Sequence, residues 1–235
     1  VFHFSDGDPI ARPQRSPQSP SLALDTCGAC HSRRSELQEP SGTEPYHQRF
    51  QLEGLDEPLY FSDGQIREEV FVLGSFLQSK MAEAGVTCTN CHDPHTGKTL
   101  LPGAQVCSTC HAPTVFAAPE HTNGHEGADC LDCHMPERIY MGVDARRDHR
   151  FHRPSPKHPN SSSPCKTCHE DASEGWLTNA LKAWPKRQGA SPDTLGEWAA
   201  LNHRLSALDT TAMSSASNLL NNGSLPSLEE AALVE

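Results

Sequence analysis

The chain has 235 residues, of which 35% are apolar and only 6% aromatic, and its formal net charge is −11 with histidine neutral. This acidic balance argues against nucleic-acid binding, which needs a basic surface to neutralise phosphates. No apolar run approaches the roughly 18 to 20 residues of a membrane span, so the composition also argues against a membrane-spanning protein.

The first 85 residues combine an extended segment, a loop and one helical pattern. Residues 1–26 are rich in Pro and Ser and predict an extended N-terminal arm. Pro and Gly residues within 40–45 predict a loop. Between residues 64 and 85, apolar side chains recur at helical spacing, and Gly85 suits the end of that helix.

All ten cysteines fall in repeats of Cys-x-x-Cys-His. The repeats are Cys27/Cys30/His31, Cys88/Cys91/His92, Cys107/Cys110/His111, Cys130/Cys133/His134 and Cys165/Cys168/His169. Two thiols at this spacing can form thioethers to one haem, and the adjacent His can bind its iron. A zinc site would need two cysteine pairs per metal, and five pairs cannot be divided into such sites. Neither zinc nor a disulfide scaffold requires a His after every pair. The pattern therefore predicts five haem c groups with the motif histidines as proximal iron ligands.

Motif spacing predicts how the chain is organised around these groups. The second, third and fourth motifs start at 88, 107 and 130, so their haems should lie near one another. A Pro-, Arg- and His-rich connector over 135–164 leads to the fifth motif. Because only 35% of the residues are apolar, the polypeptide has little apolar surface for each of five haems. The macrocycles must therefore supply much of the core. We predict a pentahaem domain over 27–174, mainly α with extensive loops and little or no sheet, wrapped around a haem stack.

No cysteine occurs beyond Cys168, and helical patterns replace the haem motifs there. Apolar spacing predicts helices over 176–184 and 195–208, with shorter ones over 212–220 and 228–233. We predict residues 175–235 to be a haem-free helical region. Its apolar face either packs on the haem domain or binds a partner.

Each low-spin iron also needs a distal ligand, and nine histidines remain for five positions. His95 lies too near His92 to reach the other face of that haem, so we expect it to bind a neighbouring haem. His121 and His125 should share one role, with His121 preferred. The stronger candidates are His47, His95, His121 and His149, and the weaker ones are His3, His152, His158 and His203.

Arginines near the haem motifs are candidates to bind haem propionates through bidentate hydrogen bonds. They are Arg33, Arg34, Arg138, Arg146, Arg147 and Arg150. Each could equally be a solvated surface charge.

Further motifs follow the haem sites in a characteristic order. They include Ser-Arg-Arg at 32–34, Asp-Gly-Gln-Ile-Arg at 63–67, Asp-Pro-His at 93–95 and Arg-Arg-Asp-His at 146–149. Over about residues 20–200, this series resembles bacterial multihaem c-type cytochromes that carry C-terminal tetratricopeptide-like helical repeats. The resemblance implies electron transfer, with His47, His95, His121 and His149 as distal ligands. One haem would then be left without a matched distal histidine, and His3, His158, His203 or a residue of another subunit would be the remaining candidates for it.

Two classes of function are compatible with five haems. We expect an electron-transfer protein that is exported, either to the periplasm or to the extracellular side of the cell surface, because haem c is attached outside the cytoplasm. The leader peptide for export would have been removed or omitted. Its partners would be redox proteins, or further copies of the chain in a filament with haem-to-haem contact. The alternative is an enzyme that reduces a small nitrogen or sulfur oxyanion at an open haem. Ammonia-forming nitrite reductases usually have Lys in one motif, whereas all five motifs here end in His, so we predict a carrier without enzymatic activity.

Overall fold

Short helices joined by irregular segments dominate the structure, a computed structural model that describes residues 2–13, 22–38, 44–154, 163–184, 201, 204 and 212–221. The α-helices are α1 (Leu22–Gly28), α2 (Tyr46–Arg49), α3 (Leu73–Leu77), α4 (Lys80–Glu83), α5 (Pro113–Phe116), α6 (Pro119–Thr122), α7 (Cys130–His134), α8 (Glu174–Ala183) and α9 (Met213–Asn221). Helices of the 3₁₀ type span Cys88–Asn90, Gly103–Thr109 and Pro164–Thr167. Helices of this length are marginal alone, so tertiary contacts must stabilise them.

Sheet structure among the described residues is limited to antiparallel pairs of short strands. The strands are β1 (Phe2–His3), β2 (Arg12–Pro13), β3 (Arg34–Glu36), β4 (Phe50–Leu52), β5 (Glu137–Tyr140) and β6 (Asp144–Arg147). They pair as β1–β2, β3–β4 and β5–β6, with Glu137 opposite Arg147 in the last pair. The predicted class, mainly α with loops and little sheet, is confirmed. The β5–β6 hairpin lies inside the segment predicted as a connector.

The long helix predicted over 64–85 is wrong in extent, since only α3 and α4 form there. Phe71 has a φ of +61°, a left-handed conformation that a helix cannot include. Ser79 is extended and begins α4 by accepting a hydrogen bond from the Ala82 amide at 3.1 Å. Gly85, with a φ of +84°, follows α4 as the sequence indicated.

The apolar core of the described residues is small. One buried cluster comprises Leu55, Tyr60, Ile66 and Val70, with Leu59 and Tyr140 packed against it. The Tyr140 hydroxyl donates to the Ile66 carbonyl at 3.1 Å, which ties the β5–β6 hairpin to this cluster. A second cluster joins Leu201, Ala212 and Ala216. The ten cysteines are half-buried or exposed, so the surface around the haem motifs is free to receive a large apolar group.

Both ends of the chain contribute ordered elements. In the predicted extended arm, residues 9–11 pair with the third haem motif: the Ala11 amide donates to the Cys110 carbonyl at 2.8 Å, and the Ala112 amide donates to the Pro9 carbonyl at 2.9 Å. The helices predicted over 176–184 and 212–220 are confirmed as α8 and α9. Those over 195–208 and 228–233 lie outside the described residues, apart from 201 and 204.

None of the described helices has the length and apolar character needed to cross a bilayer.

Candidate functional site

Each Cys-x-x-Cys-His motif forms one helical turn. The histidine amide donates to the carbonyl of the first cysteine at 2.8 Å in the motifs of His31, His92 and His111, and at 2.9 Å in that of His169. The fourth motif is itself helix α7. Residues i, i+3 and i+4 share one face of such a turn, so two thiols and an imidazole project together. This is the arrangement that attachment of one macrocycle requires.

In two of these turns, the residue just before the second cysteine also caps the turn. In α7 the Asp129 carboxylate accepts from the Leu131 amide at 3.0 Å, and the Asp132 carboxylate accepts from the Asp129 amide at 3.1 Å. At the second motif, the Asn90 side chain accepts from the Thr87 amide at 2.7 Å. These reciprocal caps stabilise the turn before any haem is attached. Sequence reasoning missed them, although a cap residue before the first cysteine and a polar residue before the second were visible signals.

Consecutive motifs approach each other through their cysteines. The pairs are Cys27–Cys88, Cys91–Cys110, Cys107–Cys130 and Cys133–Cys165. Burial, together with a hydrogen bond to Cys27, raises the pKa of the Cys88 thiol to about 11. A hydrogen bond between Cys107 and Cys130 raises the pKa of Cys107 and lowers that of Cys130. In the other two pairs, burial raises the pKa of Cys91 and of Cys133, and the neighbouring thiol raises it further.

Helix contacts agree with this order. Helix α1, which carries Cys27, packs against the 3₁₀ turn of the second motif. Helix α7 packs against the 3₁₀ turns of both the third and the fifth motifs. Packing therefore joins the first motif to the second, the third to the fourth and the fourth to the fifth. The electrostatic interaction of Cys91 with Cys110 relates the second motif to the third.

Three of the predicted haem-binding cysteines, Cys30, Cys130 and Cys168, are exposed, whereas a thiol in an enclosed cofactor cleft would be buried. Cys30 lies in the turn that follows α1, which ends at Gly28. Its amide still donates to the Cys27 carbonyl at 3.1 Å, which keeps the motif turn closed. The polypeptide therefore does not enclose these thiols by itself. The exposure of these thiols is compatible with thioether formation, which needs an accessible thiol. Haem attachment at Cys30 stays a prediction.

Three motif histidines each face a second imidazole. The ring centroids are 6.4 Å apart for His92 and His149, 5.9 Å for His134 and His121, and 6.0 Å for His169 and His125, with interplanar angles of 28°, 12° and 90°. Two imidazoles that bind one metal from opposite sides, with nitrogen–metal distances of about 2 Å, have ring centroids about 6 Å apart. Each pair thus has the spacing of two axial ligands. The sequence analysis expected only one of His121 and His125 to serve, whereas each faces a different motif histidine.

Backbone carbonyls orient three of these rings. The contacts are His125 Nδ1 with the Thr122 carbonyl at 2.8 Å, His134 Nδ1 with the His152 carbonyl at 2.9 Å, and His149 Nδ1 with the Arg147 carbonyl at 2.9 Å. A carbonyl can only accept, so Nδ1 carries the proton and Nε2 is available to a metal. Burial lowers the pKa of His134 and of His149, which favours the neutral imidazole that metal ligation needs.

Comparisons with known proteins recover the same motifs. Residues 120–221 match the cytochrome c552 family, and residues 80–116 match the doubled CXXCH motif. The chain is a multihaem c-type cytochrome. The first match continues past residue 174 through α8 and α9, and neither match describes tetratricopeptide-like repeats, which stay a prediction. No curated protein and no solved structure matches the cytochrome significantly.

Three other predicted distal ligands of the cytochrome, His47, His95 and His3, lie within the described residues, where none of them faces a motif histidine. His47 is exposed on α2, which packs on the first motif so closely that a side chain at Gly28 would clash with the Tyr46 ring. His95 is exposed at a turn after the second motif, where the Asp93 carboxylate accepts from its amide at 2.9 Å. His3 lies in β1. Among the described residues, no ring contact joins these three to a motif histidine. His158 and His203 fall outside the described residues, so all five stay predictions.

A buried arginine beside His149 offers the cytochrome a site for a carboxylate. The Arg150 side chain is 4% exposed; its Nε donates to Asp148 Oδ2 at 3.1 Å and its Nη1 donates to the Asp63 carbonyl, but Nη2 has no hydrogen-bond partner. Leaving a buried charged donor unsatisfied is costly, and guanidinium binds carboxylates especially well. A haem propionate would supply that partner. The residues present therefore fit haem both at its iron and at its acidic edge.

Proposed function

We propose that this cytochrome transfers electrons through five haems c, held one per Cys-x-x-Cys-His motif and lying in sequence order. The proposal is carried by thiol hydrogen bonds that join the first motif to the second (Cys27–Cys88) and the third to the fourth (Cys107–Cys130), and by the packing of α7 on the turn of the fifth motif. Between the second and third motifs, the interaction of Cys91 with Cys110 is electrostatic. Because the attachment turns are neighbours, the groups they hold should be close. Electron tunnelling falls steeply with distance, so a row of close neighbours favours stepwise transfer from one end to the other.

Histidine ligation on both faces supports the same role. We propose His149, His121 and His125 as distal ligands opposite His92, His134 and His169, because each pair has the required spacing. For the haems attached at the motifs of His31 and His111, the candidate distal ligands are His47, His95, His3 and His158. When bound, each haem supplies a one-electron iron couple whose potential two histidines keep lower than a His/Met pair would. The polypeptide orients the imidazoles of His125, His134 and His149 through backbone carbonyls.

The first test is the haem content and spin state of the purified protein. We expect the intact mass to equal the chain plus five haems, and the ferric spectrum to be low-spin and unchanged by nitrite or cyanide. Two axial histidines per iron leave no position for an added ligand. Mass spectrometry and visible or electron paramagnetic resonance spectra check both points. Fewer than five haems would contradict the proposal.

A second candidate function is reduction of a small nitrogen or sulfur oxyanion. It is favoured by the match of residues 120–221 to cytochrome c552, a family that includes nitrite reductases. Such an enzyme needs one iron with an open axial position and nearby proton donors. A high-spin fraction that binds cyanide, together with nitrite consumption by the reduced protein, would favour this function over the carrier.

We propose an exported location, periplasmic or extracellular, with redox proteins as partners. The first and fifth haems would stand at the two ends of the row, so copies joined end to end could extend it into a filament. We expect discrete particles for a carrier and fibres for a filament subunit. Negative-stain microscopy over a range of protein concentrations distinguishes them, with light scattering as the solution control. Fibres at every concentration would contradict the discrete carrier.

A further inference from the structure

Two tryptophans of the segment after the fifth motif contact histidines of the fourth and fifth haem sites. Trp184 Nε1 donates to the His121 carbonyl at 2.9 Å. The same indole lies nearly parallel to the His125 imidazole, with ring centroids 5.6 Å apart and an interplanar angle of 8°. Trp176 lies 5.0 Å from the His169 ring, between centroids, at 47°. The region predicted as haem-free therefore contacts both sides of the fifth site.

Local structure explains why these tryptophans are held in place. Helix α8 begins after Ser173, whose hydroxyl accepts from the Trp176 amide at 3.2 Å. Leu177, 2% exposed, anchors the helix through its buried side chain. The helix ends at Ala183, and the ψ of 134° at the following Trp184 is the extended conformation favoured before a proline, here Pro185.

The segment that carries His121 and His125 has little stability of its own. Helix α6 has four residues and no side-chain cap, and it ends at Asn123 in a left-handed conformation with a φ of +51°. A helix this short does not persist without outside contacts. The hydrogen bond from Trp184 to the His121 carbonyl and the ring contact with His125 are such contacts, and a single side chain makes both.

We propose that Trp184 is a positioning residue that sets the orientation of the distal histidines of two neighbouring haems, His121 of the fourth and His125 of the fifth. This inference rests on the proposed function, since it takes these imidazoles to be axial ligands. The indole N–H fixes the backbone at His121, while the ring face limits rotation of His125. Changing this one residue should therefore alter two haems, although the indole is the ligand of neither.

The test compares Trp184→Phe, which keeps an aromatic ring but loses the N–H, with Trp184→Ala, which loses both. Trp176→Phe is the matched control, because Trp176 belongs to the same helix and contacts the proximal His169. All variants are studied as holoproteins whose five haems are verified by mass. The readouts are electron paramagnetic resonance signals of the ferric haems and midpoint potentials from spectroelectrochemistry. His121→Ala and His125→Ala identify the two haems by the signals that each variant loses.

We expect Trp184→Phe to shift the signals and potentials of the fourth and fifth haems and leave the other three unchanged. Trp184→Ala should make both of these haems partly high-spin, whereas Trp176→Phe should affect the fifth alone. Wild-type signals in both Trp184 variants, or a change confined to one haem, would overturn the inference while leaving the proposed function intact. Failure of the proposed function would show instead in the wild type, as haems without two axial histidines.

Discussion

Replacing Cys107 and Cys110 by serine should remove the third haem and reduce electron transfer between the first two and the last two haems by orders of magnitude. The third motif is hydrogen-bonded to the fourth through Cys107–Cys130, and its Cys110 interacts electrostatically with Cys91 of the second. Without its haem, an electron would have to cross the whole width of that site in one step. The measurement is flash photolysis with a photosensitiser attached near the first motif, following oxidation state by visible absorption.

A matched control removes a haem without interrupting the row. Replacing Cys165 and Cys168 by serine should delete the fifth haem, which the proposed order puts at an end, so transfer among the first four should keep its wild-type rate. Both variants then carry four haems, which mass spectrometry verifies. Equal rates in the two variants would contradict the sequence order of the haems and with it the proposed path.

Replacing His149 by alanine should convert one of the five haems from low-spin to high-spin. His149 faces His92 with ring centroids 6.4 Å apart, and the Arg147 carbonyl orients it. Its removal would leave one iron with a single protein ligand and a vacated space of imidazole shape. We expect that haem to bind cyanide, and added imidazole to restore the low-spin spectrum. Visible and electron paramagnetic resonance spectra measure both effects.

The control for this variant is His152→Ala, three residues further along the same segment. The contact of His152 with the proximal His134 runs through its backbone carbonyl, at 2.9 Å from Nδ1, and the substitution keeps that carbonyl. All five haems should therefore stay low-spin. A low-spin spectrum in His149→Ala, unchanged by cyanide, would show that another residue binds the haem held by the second motif.

Helical periodicity did not predict the helix limits between residues 64 and 85, where part of the segment packs in the core cluster and part forms short helices. The apolar residues between 64 and 85 have helical spacing, yet Val70 belongs to the core cluster before the left-handed Phe71, and Leu73 begins a separate short helix. Buried polar contacts also shape this segment: Gln78 Nε2 donates to the Gly74 carbonyl at 3.1 Å. Periodicity reports which side chains are apolar, but it cannot report which neighbours they meet.

The amino-acid sequence by itself determined the attachment chemistry. Each motif spans five residues and closes through a hydrogen bond between its own first and last members, so nothing distant is needed to bring two thiols and an imidazole together. The same local character made α8 and α9 predictable, because their apolar faces and helix limits lie within the segments themselves.

Tertiary structure alone decided which histidine faces which, the order of the sites in space, and which attachment thiols, such as Cys30, are left exposed. His149 meets His92, and His125 and His121 meet two different motif histidines, through loops whose course no local pattern describes. The contacts of Trp184 with His121 and His125 were likewise absent from any motif. Such contacts join segments far apart in the chain, and they depend on how the whole set of short elements packs, which spacing within one segment does not encode.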